Sequence, residues 1–175
     1  MTSIRLKCPN CELPLAPGEG GWCCDNGHRF DRARRGYTNL LLAQQRRSRA
    51  PGDDKEMVRS RTAFLERGRY QPLADALIEL LPDQPEAWVD VGCGEGWYTE
   101  QFAGRLGSEA GIGVDISKPA VDAAARRSKT LTWRVASGAR LPLFDQSRDR
   151  AFVPLASLFV HELARTLQPG GGLLW

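Results

Sequence analysis

No run of about 18 or more apolar residues occurs anywhere in the 175-residue sequence, so no transmembrane helix is expected. Residues 1–7 are polar and lack the apolar core of a secretory leader, which points to a cytoplasmic chain with reduced thiols. Internal repeats and low-complexity tracts are absent too. Strong net charge is missing, at +3 overall, but the balance is uneven. Residues 29–69 hold twelve basic against five acidic side chains, between two mildly acidic ends. Such asymmetry suggests a polyanionic partner, or else only a solvated face.

Cysteine is scarce outside one short stretch. Four of the five lie between positions 8 and 24, and the fifth is Cys93. Prolines and glycines crowd the same region, so residues 1–36 read as a separate turn-rich, β-rich module. Cys8 and Cys11 form a C-x2-C pair, and Cys24 and His28 a C-x3-H pair. Two such pairs can close a tetrahedron of three thiolates and one imidazole, the donor set of a structural Zn²⁺ with no open position. Cys23 could compete with Cys24, but it reads better as a packed apolar residue. A pair of disulfides is the alternative.

Residues 37–85 read as a basic linker followed by helices. The stretch 44–52 has no apolar period. Asp53 or Asp54 then offers an N-cap for a helix whose Met57, Val58, Phe64 and Leu65 share one face and which Gly68 closes. A second helix is predicted over 72–81. From position 86 strands and helices alternate. Strands are predicted at 87–91, 111–115, 131–135, 150–153 and from 172, and helices at 97–106, 118–127 and 158–167. In the last helix Val160, Leu163, Ala164 and Leu167 should point inward. Repeated β–α units imply an α/β, Rossmann-like parallel sheet covered on both faces.

At the first strand–helix turn stands Val89-Asp90-Val91-Gly92-Cys93-Gly94-Glu95-Gly96. Its glycines fall as G-x-G-x-G, one residue tighter than the dinucleotide fingerprint that brings a pyrophosphate to a helix N-terminus. S-adenosyl-L-methionine has no phosphate, and its methionine end would sit there. Asp115 closes the second strand, where a carboxylate accepts from both ribose hydroxyls. Small residues after the third strand, Ser137 among them, leave room for adenine. The candidate cofactor residues are therefore Asp90, Gly92, Gly94, Glu95, Gly96, Tyr98, Asp115 and Ser137. Cys93 reads as packing, and a purely structural glycine turn is the alternative.

Taken in order, several stretches resemble one family. They are the cysteine–histidine spacing, Gly36-Tyr37-Thr38-Asn39-Leu40-Leu41, Arg47-Ser48-Arg49-Ala50-Pro51-Gly52-Asp53, Arg61-Thr62-Ala63-Phe64-Leu65, Tyr70-Gln71-Pro72-Leu73 and the glycine loop. The family is the bacterial RlmA-type 23S rRNA (guanine-N1) methyltransferases, which include tylosin-resistance methyltransferases. The resemblance implies methyl transfer to N1 of a guanine in the helix 35 hairpin of 23S ribosomal RNA. It implies zinc on Cys8, Cys11, Cys24 and His28. It also implies a cofactor loop at Gly92, Gly94 and Gly96 with a ribose carboxylate at Asp115. Arg46, Arg47 and Arg49 are the candidate RNA contacts, and a homodimer is entertained as an expectation.

Two departures stand out. Where relatives carry an aromatic-Ala-Pro stretch after the fourth strand, this sequence reads Pro154-Leu155-Ala156-Ser157, so no aromatic is expected to stack on a guanine. The family also continues well past residue 175, so the chain is expected to stop within its fifth strand and to methylate RNA below normal efficiency. No residue offers itself as a convincing base, Glu95 and His161 being candidates by type alone. A non-catalytic RNA-binding zinc protein and a small-molecule methyltransferase are the competing readings.

Overall fold

Two sheets organise the chain, and one apolar cluster joins them. The computed structural model describes residues 5–46, 48–81 and 85–175. Strands β1 (Leu6–Lys7), β2 (Pro14–Gly18), β3 (Gly21–Cys23) and β4 (Arg29–Asp31) form an antiparallel ribbon in that order. Gly21 sits where a Cβ would lie 2.3 Å from the Phe30 carbonyl oxygen, so the β3–β4 approach requires a residue without one.

The second sheet has six strands, in the order β10-β9-β6-β7-β8-β5, and every pairing is parallel. They are β5 (Thr38–Asn39), β6 (Trp88–Val91), β7 (Gly111–Asp115), β8 (Thr132–Val135), β9 (Arg148–Phe152) and β10 (Leu167–Leu174). Helices α3 (Trp97–Leu106) and α4 (Lys118–Arg127) connect β6 to β7 and β7 to β8. Both start where expected. Pro119 fits the first turn of α4, and the Ser117 hydroxyl accepts from the Ala120 N–H.

Strand alternation sorts the core into two faces. Trp88, Trp133, Val135 and Phe152 pack with Phe102, Leu106, Val121 and Ala124 of α3 and α4. The indole rings need space, and Gly111 and Gly113 supply it. A Cβ at either would fall 2.3 Å from a tryptophan ring atom. On the opposite face Val89, Val91, Ile112 and Val114 pack with Leu163 of α5 (Val160–Thr166) and with Leu6, Cys8, Leu15 and Cys24 of the ribbon. The ribbon thus covers part of the sheet as a helix otherwise would. An isolated bridge from Leu6 to Leu143 and the Arg134 guanidinium, 5.0 Å from the Trp22 ring centroid, reinforce the joint.

Several sequence expectations need correction. Leu6, Cys8, Leu15 and Cys24 of the ribbon share the apolar cluster of Val89 and Ile112 in the large sheet. Thr38–Asn39, expected as linker, is a strand paired with Arg134 and Val135. Helix α1 (Lys55–Leu65) buries Val58 and Leu65, whereas Met57 and Phe64 stay exposed. Asp54, not Asp53, caps it, accepting from the N–H groups of Glu56 and Met57. Helix α2 is Gln71–Glu79, shorter than predicted. In α5 only Leu163 of the four predicted positions is fully buried. Strand β10 begins at Leu167 with a register shift before Gly172, and among the described strands only β9 pairs with it.

Candidate metal centre and cofactor site

The two cysteine–histidine knuckles are shaped by backbone hydrogen bonds. Glu12 N–H donates to the Cys8 carbonyl at 2.8 Å, and Gly27 N–H to the Cys24 carbonyl at 2.9 Å. These turns bring Cys8, Cys11, Cys24 and His28 together with all four donor atoms within 4.8 Å of one another. Cys24 Sγ lies 3.4 Å from His28 Nδ1, Cys8 Sγ 3.6 Å from it, and the Sγ atoms of Cys11 and Cys24 are 3.6 Å apart. A tetrahedron with Zn–S of about 2.3 Å and Zn–N of about 2.0 Å has edges of roughly 3.5–3.8 Å, so the donor set fits Zn²⁺. Cys23 stands outside the group, its Sγ directed toward Gly18.

At the carboxyl ends of β6, β7 and β8 lies a cavity of about 260 Å³. Its walls include Gly92, Asp115, Ser137, Gly138 and Phe159, with Asp53 and Arg61 on the α1 side. Asp115 organises the floor. Its Oδ2 accepts from Gly94 N–H at 2.9 Å and its Oδ1 from Ser117 N–H at 2.7 Å. Each oxygen keeps a lone pair for a further donor, as a ribose diol would provide. Gly92 adopts φ +81°, and a Cβ there would meet Ala156 at 2.4 Å, so the loop after β9 closes directly over it.

Of the predicted cofactor residues, Gly92, Asp115 and Ser137 line this cavity, and the other five do not. Gly94 contributes its N–H to Asp115. Gly96 makes room for packing, since a Cβ would strike Trp133 at 2.6 Å. Tyr98 packs edge-on to Trp97, with ring centroids 4.8 Å apart. Glu95 lines a separate cleft between α1, α3 and α4, where its carbonyl accepts from Arg127. His161, the other candidate base, is exposed on α5.

Asp90 is wholly buried behind the glycine loop. Its Oδ2 accepts from the Thr99 hydroxyl at 2.5 Å, while Oδ1 has no partner among the described residues. Burial raises it to about 7, with smaller upward pushes from Asp115 and Glu95 and an opposing one from the Thr99 hydrogen bond. As pH rises from about 4, the unfolded chain ionises this carboxyl while the folded chain keeps it protonated. Stability therefore falls until about pH 7 and then levels off, by on the order of 3–4 kcal/mol in all. Asp90→Asn should flatten that slope, which denaturant titrations at pH 5 and pH 8 would measure. An unchanged slope would place the pH dependence elsewhere.

The glycine-rich cavity and the metal cluster can be set beside known proteins. Residues 6–49 match the family model of the RlmA N-terminal zinc ribbon, and residues 89–171 match a methyltransferase domain. A Streptomyces fradiae protein named 23S rRNA (guanine(748)-N(1))-methyltransferase is 36% identical over 97% of this chain and 61% of its own length. The chain joins an RlmA-type zinc ribbon to a methyltransferase domain. A Bacillus subtilis protein provisionally assigned as a 23S rRNA (guanine-N1) methyltransferase is 32% identical over 97% of this chain and 62% of itself. The chain spans about three-fifths of the length of those curated relatives. A Methanococcus maripaludis structure, provisionally assigned as an S-adenosyl-L-methionine-dependent methyltransferase, superposes with a TM-score of 0.61. It is 17% identical and covers 72% of this chain and 65% of its own, a likeness of fold alone. The RlmA ribbon match runs through Arg49, and so takes in β5 and the basic stretch that follows it.

Three cavity residues were not legible in the sequence. Asp53 and Arg61 come from the start and middle of the α1 region, and Phe159 stands at the N-cap of α5. Phe159 is an aromatic that lines the cavity. It sits two residues past the Pro154–Ser157 stretch, with its ring over Gly138. Tandem acids before a helix, one too many for a single cap, were the available signal for Asp53. Of the predicted RNA contacts, Arg46 and Arg49 are exposed, and Arg47 lies outside the described residues.

Proposed function

We propose that this chain carries the cofactor and zinc-ribbon parts of an enzyme that methylates N1 of a guanine in the helix 35 hairpin loop of 23S ribosomal RNA. The observation that carries this reading is where residues 38–46 and 48–53 run. β5 ends beside Val135 at the carboxyl edge of the sheet, and the chain then runs through Arg46 and Arg49 to Gly52 and Asp53 on the cavity wall. A basic segment is thereby tethered between the metal ribbon and the cofactor cavity, where a polyanion must dock to present a base. The names of the relatives support ribosomal RNA as that polyanion.

The chain's own residues supply placement. Asp115 holds a ribose by its two carboxylate oxygens and, through Gly94, fixes the glycine loop in the same contacts. Ser137 and Gly138 form the small-residue side of the cavity, suited to adenine. S-adenosyl-L-methionine, when bound there, supplies an electrophilic methyl group on a sulfonium. Phe159 offers a ring face beside the same space. The zinc ribbon buries one face of the sheet and positions the arginine segment, and it has no part in the chemistry. Holding two reactants in line is the main rate contribution available to such a site. Among the described residues no helix is long and apolar enough to cross a membrane, and a ribosomal RNA substrate would be met in the cytoplasm.

RNA binding tests the substrate assignment. Each phosphate contact to single-stranded RNA should contribute about 0.7 to the slope of log affinity against log salt. A chain carrying Arg46→Ala, Arg47→Ala and Arg49→Ala should bind a helix 35 hairpin more weakly, with a slope reduced by about 2. An unaltered slope would make the arginines a solvated face and remove the support they lend.

A further inference from the structure

Asp53 and Arg61 face one another at the rim of the cofactor cavity, with Arg61 Nη1 2.7 Å from Asp53 Oδ2. The guanidinium also lies over the glycine loop, 3.7 Å from where a Cβ on Gly94 would stand. The pair is held in place from several directions. The Ser117 hydroxyl donates to the Asp53 carbonyl at 2.6 Å. The neighbouring Asp54 caps α1 and so fixes the helix that carries Arg61. Gly52 abuts Ser117 so closely that a Cβ would fall 2.7 Å from the serine Cβ. Residues 52–53 and α1 are therefore strapped to the turn that follows Asp115.

Among the described residues lining the cavity only Asp53, Arg61 and Asp115 are charged, and Arg61 is the sole cation of that set. Asp115 spends its oxygens on the loop and the ribose. Asp53 and Arg61 remain, one anion and one cation, with side chains 21% and 49% exposed and able to take a further partner. We infer that this ion pair is the receptor for the amino-acid end of the methyl donor, Arg61 taking its carboxylate and Asp53 its ammonium group. The inference rests on the cofactor reading above. The zwitterion of an amino acid is the charge complement of the pair. Arg–carboxylate contact of this kind is among the stronger charge-assisted hydrogen bonds. An ion pair as exposed as this one contributes little to folding, so substituting either residue leaves the scaffold intact for measurement.

Calorimetry on the zinc-loaded chain tests the assignment with three ligands. S-adenosylhomocysteine has both amino-acid charges, decarboxylated S-adenosylhomocysteine keeps only the ammonium, and 5′-methylthioadenosine has neither. Arg61→Met should weaken S-adenosylhomocysteine roughly 10- to 100-fold and leave the other two unchanged. Asp53→Asn should weaken S-adenosylhomocysteine and the decarboxylated ligand, and leave 5′-methylthioadenosine unchanged. Wild-type affinity for S-adenosylhomocysteine in both variants would overturn the assignment. So would an equal loss for all three ligands, which would make the pair a structural tie. Failure of the unsubstituted chain to bind any of the three would overturn the cofactor reading itself, and this assignment with it.

Discussion

Cys24→Ser is expected to lose the zinc and, with it, much of the protein's stability, whereas Cys23→Ser should keep both. The two cysteines are adjacent in sequence, yet only Cys24 places its Sγ within the cluster of donors. Structural zinc contributes on the order of 10 kcal/mol of binding free energy to small ribbons. Here the effect should reach further than the ribbon. Leu6, Leu15 and Cys24 pack in the same cluster as Val89, Val91, Ile112 and Val114, so a ribbon that unfolds uncovers one face of the large sheet. A destabilisation of several kcal/mol should lower the melting temperature by roughly 10 °C or more in a chain of this size. Metal analysis together with thermal unfolding reads both effects. Zinc retained by Cys24→Ser and lost by Cys23→Ser would reverse the ligand assignment. Zinc lost with no change in melting would show that the ribbon and sheet do not share their core.

Asp115→Ala should weaken S-adenosylhomocysteine by roughly tenfold or more, with Asp122→Ala as its control. One hydrogen bond to a charged acceptor is worth about 1.5–3 kcal/mol, and Asp115 has two oxygens directed at the cavity turn. The same substitution removes the anchor of Gly94 and Ser117, so the loop loosens as well. Asp122 is an acid of the next helix, but it pairs with Arg126 at 2.8 Å and lines a different cleft. Equal affinity in the two variants, measured by calorimetry, would remove Asp115 from the ribose role. Loss of affinity in Asp122→Ala would move the cofactor to the cleft between α1 and α4.

What could be read from sequence was whatever local chemistry dictates. The bounds of α3 and α4 follow from their caps and periodicity, and β7 from a short apolar run between turns. The zinc spacing worked for the same reason, since each knuckle is a turn of a few residues. The strand Thr38–Asn39 was hidden because two residues carry no period, and only pairing with β8 makes them a strand. Met57 and Phe64 read as core by spacing but remain exposed, because α1 buries a narrower stripe of Val58 and Leu65, the latter packed with Ala74 and Trp97. The cavity was the least legible part. Arg61 and Phe159 reach it across 98 positions of sequence, and no local pattern relates them. Asp90 and Glu95 misled in the opposite way. They belong to the glycine motif, yet the Asp90 carboxyl is taken up by Thr99 behind the loop, and Glu95 lines the cleft between α1, α3 and α4 instead of the cavity.

The most direct test of the account is nucleoside analysis of 23S ribosomal RNA after incubation with the zinc-loaded chain and methyl-labelled S-adenosyl-L-methionine. Enzyme in excess over RNA lets even a slow transfer register. Label is expected in 1-methylguanosine from the helix 35 hairpin, absent when the target guanine is replaced by adenine and reduced in Asp115→Ala. Label in any other nucleoside, or none in RNA while a small acceptor is methylated, would contradict it.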